Sequence, residues 1–238
     1  MTISEKLDII KSNISESAKK VGKTADDILL LPVTKTKSPE EIMPALQCGV
    51  RAIGENYVQE ILSKYDVLSP YVDEFHMIGH LQSNKVKYII DKVTLIHSVD
   101  SSSLLKEIQK QAQKHDKVQE VLLEVNLTKE ESKSGIYEED LESLFWESKN
   151  YPNLLVKGFM TMPPLGSSED TLRRVFSRLY TLFEKYRRED SELCVLSMGM
   201  SHDYPIAIEE GANLVRIGSA IFGPRDSRKI SHRDTGIL

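Results

Sequence analysis

The sequence predicts an α/β protein: a single (β/α)8 barrel of the TIM type with an extra N-terminal helix. Three observations carry this reading. Short β-rich runs alternate with helical patterns from about residue 28 to 223. Eight such runs fit into about 200 residues, the count a closed parallel ring needs. Polar and small residues collect just after the runs, while the run bodies stay aliphatic. An open doubly wound sheet is the alternative, because periodicity does not distinguish a closed ring from an open edge.

The elements follow in order. Leu7, Ile10, Ile14, Ala18 and Val21 fall at helical spacing, so residues 3–22 read as an amphipathic helix packed on the domain. Residues 28–34 form the first strand by length and apolar content, and Ser38-Pro39-Glu40-Glu41 starts a helix with a cap, a first-turn proline and acids at the positive dipole end. RAIG (51–54) is the second strand, followed by a helix through Val58, Ile61 and Leu62. FHMIG (75–79) is the third, followed by a helix near 85–90. TLIHSV (94–99) precedes the helix of Leu104, Leu105, Ile108 and Ala112; VQEVLLEVNL (118–127) precedes the helix of 138–149. LLVKGFMTM (154–162) precedes the strongest stripe in the chain, Leu172, Val175, Phe176, Leu179, Phe183 and Tyr186. CVLSMG (194–199), a short helix at 205–210 and NLVRIG (213–218) complete the set. The polar stretch 224–238 has little apolar content, so one domain over 1–238 is expected.

Composition narrows the function. A net charge of −5 and a pI near 5.8 argue against nucleic-acid binding, and the basic groups around Arg187-Arg188 and 225–233 are interleaved with or flanked by acids. Cys48 and Cys194 lack zinc or disulfide-framework spacing, which suits a reducing cytoplasm. No apolar run reaches the roughly 20 residues that span a bilayer, and the charged first 20 residues do not read as a signal peptide. His76 and His80 lie on a strand and a loop with no third ligand, so no metal site is expected.

In such a barrel the reactive face gathers the strand C-termini. Those positions hold Lys35, Glu55 and Asn56, Gly79 and His80, Asn126, Met160 and Thr161, Ser201, and Gly218-Ser219. The glycines and serines of SMGMSHD (197–203) and RIGSAIFG (216–223) suit a phosphate; equally, Gly199 and Gly218 suit tight turns. A lysine facing a phosphate site suggests Schiff-base chemistry. Alternation puts both Lys35 and Lys37 on the face of Leu29, Leu31 and Val33, so spacing leaves the choice open. Arg216 sits inside an apolar strand and needs an anionic or acceptor partner, either a ligand or a structural salt bridge.

GENYVQE (54–60), HMIGHLQSNK (76–85), SKSGI (132–136), LSMGMSHD (196–203) and VRIGSAIFG (215–223) resemble, in order, the YggS/PROSC family of pyridoxal 5′-phosphate (PLP) binding proteins. The resemblance runs from about Ile28 to Asp226. It implies a barrel like the N-terminal domain of alanine racemase, the type III PLP fold. It implies further that Lys35 forms the aldimine, that Ser201, Gly218 and Ser219 hold the phosphate, that Arg216 lies by the pyridine nitrogen, and that Asn56 and Met200 line the ring pocket. A cation beside that nitrogen makes the ring a weaker electron sink, as suits racemase-type or non-catalytic sites. His80 and His202 stand where the family more often has other residues, and no role is implied for them.

The resemblance implies a non-catalytic cytoplasmic protein of PLP homeostasis, a monomer that holds the cofactor and passes it to apo PLP enzymes. The 15 residues after Gly223 are too few for the second domain that racemase catalysis uses. The alternatives are a racemase-like enzyme with Lys35 as one base, and a cofactor-free Schiff-base aldolase.

Overall fold

A computed structural model describes residues 1–130 and 133–224; Ser132 of SKSGI and the polar stretch from 225 onward lie outside the described residues. The chain starts with helix α1 (Ile3–Lys20), capped by a reciprocal Thr2–Glu5 box. It then alternates through β1 (Leu29–Pro32), α2 (Pro39–Gln47), β2 (Ala52–Glu55), α3 (Val58–Leu68), β3 (Glu74–Met77), a 3₁₀ segment (Ser83–Tyr88), β4 (Leu95–Val99) and α4 (Ser102–Lys114). The second half holds β5 (Gln119–Asn126), a two-residue β6 (Ile136–Tyr137), α5 (Glu138–Ser148), β7 (Leu154–Met160), α6 (Glu169–Arg187), β8 (Val195–Ser197), α7 (Tyr204–Glu209), β9 (Leu214–Ile217) and α8 (Ser219–Phe222).

All pairings are parallel, in the order β1-β9-β8-β7-β5-β4-β3-β2. The two ends of that order meet: Val33 bridges Gly54, and the Thr34 N–H donates to Gly54 O at 2.9 Å. The ring is therefore closed, and the open sheet is excluded. At this seam a Cβ on Gly54 would lie 3.1 Å from both Leu31 and Ile78, so the absence of a side chain lets β1 and β3 fill the interior.

Several boundaries differ from the sequence reading. The first strand stops at Pro32 because the backbone turns at 34–37, and the segment near 85–90 is 3₁₀ rather than α, with Val86 its one buried residue. Strand β6, a two-residue addition to the edge of β5, has too short a run to leave a periodic signal. Val21 caps α1 and is exposed, whereas Leu7, Ile10, Ile14 and Ala18 are buried. Helix α1 lies against the short helices of the last two βα units: Lys6 Nζ donates to Ile221 O, and Asn13 Nδ2 to the Tyr204 hydroxyl at 2.9 Å. The α6 stripe is buried throughout, and Phe183 and Tyr186 pack edge-on against Phe159 of β7.

Lys157 is an extra residue in β7, since Val121 pairs with Val156 but Leu122 with Gly158. Gly158 has φ +154°, and a Cβ there would stand 1.7 Å from Val195 O. Gly158→Ala is expected to lower the unfolding free energy by about 2 kcal/mol or more, by strand displacement and backbone strain. Urea denaturation measures it; an unchanged midpoint would rule out the tight β7–β8 approach.

Candidate functional site

The turn after β1 is built by an arrangement that the strand pattern does not contain. Lys37 N–H donates to Thr34 O at 3.1 Å, closing a four-residue turn with Lys35 and Thr36 at its centre. Thr36 has φ +66°, a conformation normally left to glycine or asparagine and unfavourable for a β-branched residue by about 1–3 kcal/mol. Glu60 of α3 holds it there: both carboxylate oxygens accept from the Thr36 N–H, at 3.0 and 2.8 Å.

Glu60 is part of a buried network. Lys64 donates to Thr34 O at 2.8 Å, Glu55 Oε1 at 2.7 Å and Glu60 Oε2 at 2.7 Å. These three bonds use all three ammonium donors. Thr34 Oγ1 adds a 2.6 Å bond to Glu55. Burial pushes the Glu55 carboxyl up to about 7 against the pull of Lys64. Burial opposes ionisation of Glu60 too, but the hydrogen bonds from Lys64 and Thr36 outweigh it and hold that carboxyl below its ordinary value.

Beside this turn lies a cleft of about 220 Å³. Lys35, Met200, Ser201, Arg216, Gly218 and Ser219 all line it, together with Lys37 and His202. Asn56 does not. It sits in the loop after β2, packed against Gly79, where a Cβ would lie 2.3 Å from Asn56 O. The left-handed Thr36 interrupts the strand alternation, so the two lysines are set by the turn. Both reach the cleft, and Lys37 also pairs with Glu41 at 3.4 Å at the start of α2. His80 is exposed on the rim, 3.8 Å from Asp100.

The opposite wall comes from β8 and β9. Gly199 has φ +92°, and a Cβ there would meet Ala207 at 2.6 Å, so glycine lets the loop fold closely over α7. The Ala220 N–H donates to Ser201 Oγ at 3.4 Å, tying the two loops together. Arg216 is buried and donates to Ser197 Oγ at 2.6 Å and Thr161 O at 3.0 Å. Burial depresses it to about 10, against the attraction of Glu124 and Asp203, which leaves it cationic at neutral pH. Glu124 points inward from β5, and burial raises it to about 7.

Residues 6–226 match the family profile of the alanine racemase N-terminal domain. The chain is 44% identical over 226 residues to the pyridoxal phosphate homeostasis protein of Aquifex aeolicus, covering 94% of this chain and 99% of that protein. The chain belongs to this family. The Escherichia coli pyridoxal phosphate homeostasis protein is 34% identical over 230 residues, with 95% and 98% coverage. Among solved structures, PipY of Synechococcus elongatus with PLP bound superposes with a TM-score of 0.82 at 29% identity, over 93% of this chain and 100% of that one. Alanine racemase from Corynebacterium glutamicum reaches 0.66 at 17% identity over 92% and 61%, which shows the shared barrel alone.

Sequence reasoning placed Glu55 at the strand end but gave it no role, and it did not single out Glu60, Lys64, His97, Glu124 or Ser197. Glu60 and Lys64 had a readable signal: an i,i+4 acid–base pair on the face of α3 that carries Ile61 and Leu68. Lys64→Met leaves two buried carboxylates without their cation, and an uncompensated buried charge costs about 3–5 kcal/mol. Both carboxyls then lose the ammonium that favours their ionised forms, while burial still opposes ionisation. The penalty is therefore smallest below pH 4.5 and grows as pH rises through about 7. Urea unfolding of both proteins at pH 5 and pH 8 checks this; an equal penalty at both would refute the buried pairing.

Proposed function

We propose that this protein binds pyridoxal 5′-phosphate covalently through Lys35 and serves intracellular PLP homeostasis. One observation carries the reading. The cleft wall presents Lys35, Lys37 and Arg216 together with His202, two serine hydroxyls and two glycines, and no carboxylate among the described residues. That donor set fits a small phosphorylated anion that also offers an aldehyde.

PLP supplies, when bound, an aldehyde that condenses with a primary amine and releases water. Lys35 provides the amine from a turn whose shape is fixed by Glu60 and Lys64. The Ser201 and Ser219 hydroxyls and the backbone around Gly218 receive the phosphate. Helix α8 has only four residues, so hydroxyls and loop amides do this rather than a helix dipole. Arg216, cationic in the cleft wall, would hold the ring nitrogen and disfavour its protonation, and Met200 would pack against the ring. Asn56, outside the cleft lining in the loop after β2, carries a buried Oδ1 without a hydrogen-bond partner, an acceptor that a shift of this loop would bring to the ring.

The name of the relatives matched over nearly their whole length, and the PLP in PipY, support this reading over a racemase, whose likeness covers only the barrel. The same reading makes the protein a cytoplasmic monomer that releases PLP or hands it to apo-enzymes, with no turnover of its own.

Purified protein mixed with PLP is expected to show a visible band, and borohydride reduction followed by peptide mapping to place the label on Lys35. Lys35→Ala should abolish both. Arg216→Gln should weaken PLP retention by about tenfold or more, the usual cost of removing a buried hydrogen-bonded charge. A colourless protein that takes up no PLP, or label on Lys37 alone, would refute the assignment. Lys35-dependent amino-acid racemisation would replace the carrier reading with the enzyme one.

A further inference from the structure

The barrel interior holds a continuous hydrogen-bonded row from one end to the other. Arg216 donates to Ser197 Oγ at 2.6 Å, and Ser197 Oγ lies 3.1 Å from His97 Nδ1. His97 Nε2 lies 2.9 Å from His76 Nδ1, and His76 Nε2 lies 2.8 Å from Glu74 Oε2. Ser197, His97 and His76 are buried, whereas Glu74 is half-exposed and lines a cleft with Lys11, Arg51 and Asp73 at the strand N-termini, away from Lys35.

With both imidazoles neutral, the proton positions follow from the ends. A guanidinium only donates and a carboxylate only accepts. Ser197 therefore accepts from Arg216 and passes its own proton toward His97 Nδ1. His97 donates from Nε2 to His76 Nδ1, and His76 donates from Nε2 to Glu74. Both imidazoles are then Nε2–H tautomers, and every bond points from Arg216 to Glu74. Burial, with the Arg216 charge adding to it, holds His97 well below its ordinary value, as a neutral ring requires. The other charged groups near Arg216, Glu124 and Asp203, form no hydrogen bond or ion pair with it.

We propose that His97 and His76, fixed by Glu74, are positioning residues that orient Arg216 toward the ring of the bound cofactor through this one-directional row. The inference rests on the PLP reading for its consequence, but not for the row itself. Its specific content is that a substitution at the far end of the barrel, on the rim and outside the cofactor cleft, changes the cofactor's environment.

Glu74→Lys puts a donor where an acceptor stood and reverses each bond between residue 74 and Ser197 while Arg216 still donates, so that Ser197 receives from both His97 and Arg216 and its own proton loses its acceptor. Two measurements test the idea. ¹⁵N NMR of the cofactor-free protein is expected to show both His76 and His97 as Nε2–H tautomers, and both as Nδ1–H in Glu74→Lys. In PLP-loaded protein, Glu74→Lys and His97→Leu should shift the visible band and speed PLP loss by about three- to tenfold, the effect of one misaligned hydrogen bond. His97→Gln, which can accept from Ser197 and donate to His76, should restore both. An Nδ1–H His97 in the native protein overturns the proposal. So does a band unmoved by Glu74→Lys, or equal behaviour of His97→Leu and His97→Gln. If the native protein takes up no PLP, the cofactor reading fails, while the NMR experiment still decides the row.

Discussion

The seam between β1 and β2 depends on one buried ammonium. The described backbone there contributes a single bridge, Val33 to Gly54, and the hydrogen bond from Thr34. Lys64 completes the closure by binding Thr34 O, Glu55 and Glu60 together, and so ties the ends of two strands to the helix between them and the next. Desolvating three charges is expensive, and a hydrophobic replacement often holds a fold as well. The network is better understood through what it fixes. By placing Glu60 against the Thr36 N–H it stabilises a backbone conformation that threonine does not adopt unaided, and that turn presents Lys35. Barrel closure and amine placement are thus one constraint.

The same network distributes charge. Glu55 and Glu60, which bond Thr34 and Thr36 of the Lys35 turn, are consumed by Lys64 and Thr36. Glu124 and Asp203 attract Arg216 only at longer range, and burial raises both toward the neutral form. The cleft is left with a positive wall inside a protein whose net charge is −5. Composition alone argued against polyanion partners, and local arrangement nonetheless produces a site for one small anion.

The sequence made the alternation legible because period-two and period-3.6 patterns are properties of contiguous residues, as the fully buried α6 stripe shows. Strand-end positions were legible for the same reason, and Lys35, Met200, Ser201, Arg216, Gly218 and Ser219 do share one cleft. What escaped were features that depend on distant pairs. The polar interior row joins residues from β3, β4, β8 and β9, and nothing local to His97 signals a partner 100 residues away. The choice between Lys35 and Lys37 failed on strand alternation because the alternation ends at a left-handed threonine, and a threonine does not announce positive φ in the way glycine does.

Two buried cations therefore serve the site, Arg216 in the cleft wall and Lys64 under the Lys35 turn, and they are held in opposite ways. Lys64 is bound directly by two carboxylates, so its charge is spent inside the protein and its role is mechanical. Arg216 is held by a serine hydroxyl and a carbonyl, with two imidazoles between it and the nearest hydrogen-bonded carboxylate, so it is oriented without being neutralised. A direct carboxylate partner would fix the guanidinium as firmly, but would cancel its field in the cleft. Separating orientation from charge compensation is what allows a fully buried arginine to remain available to a ligand, and it explains why this barrel carries a polar row where aliphatic layers would otherwise pack.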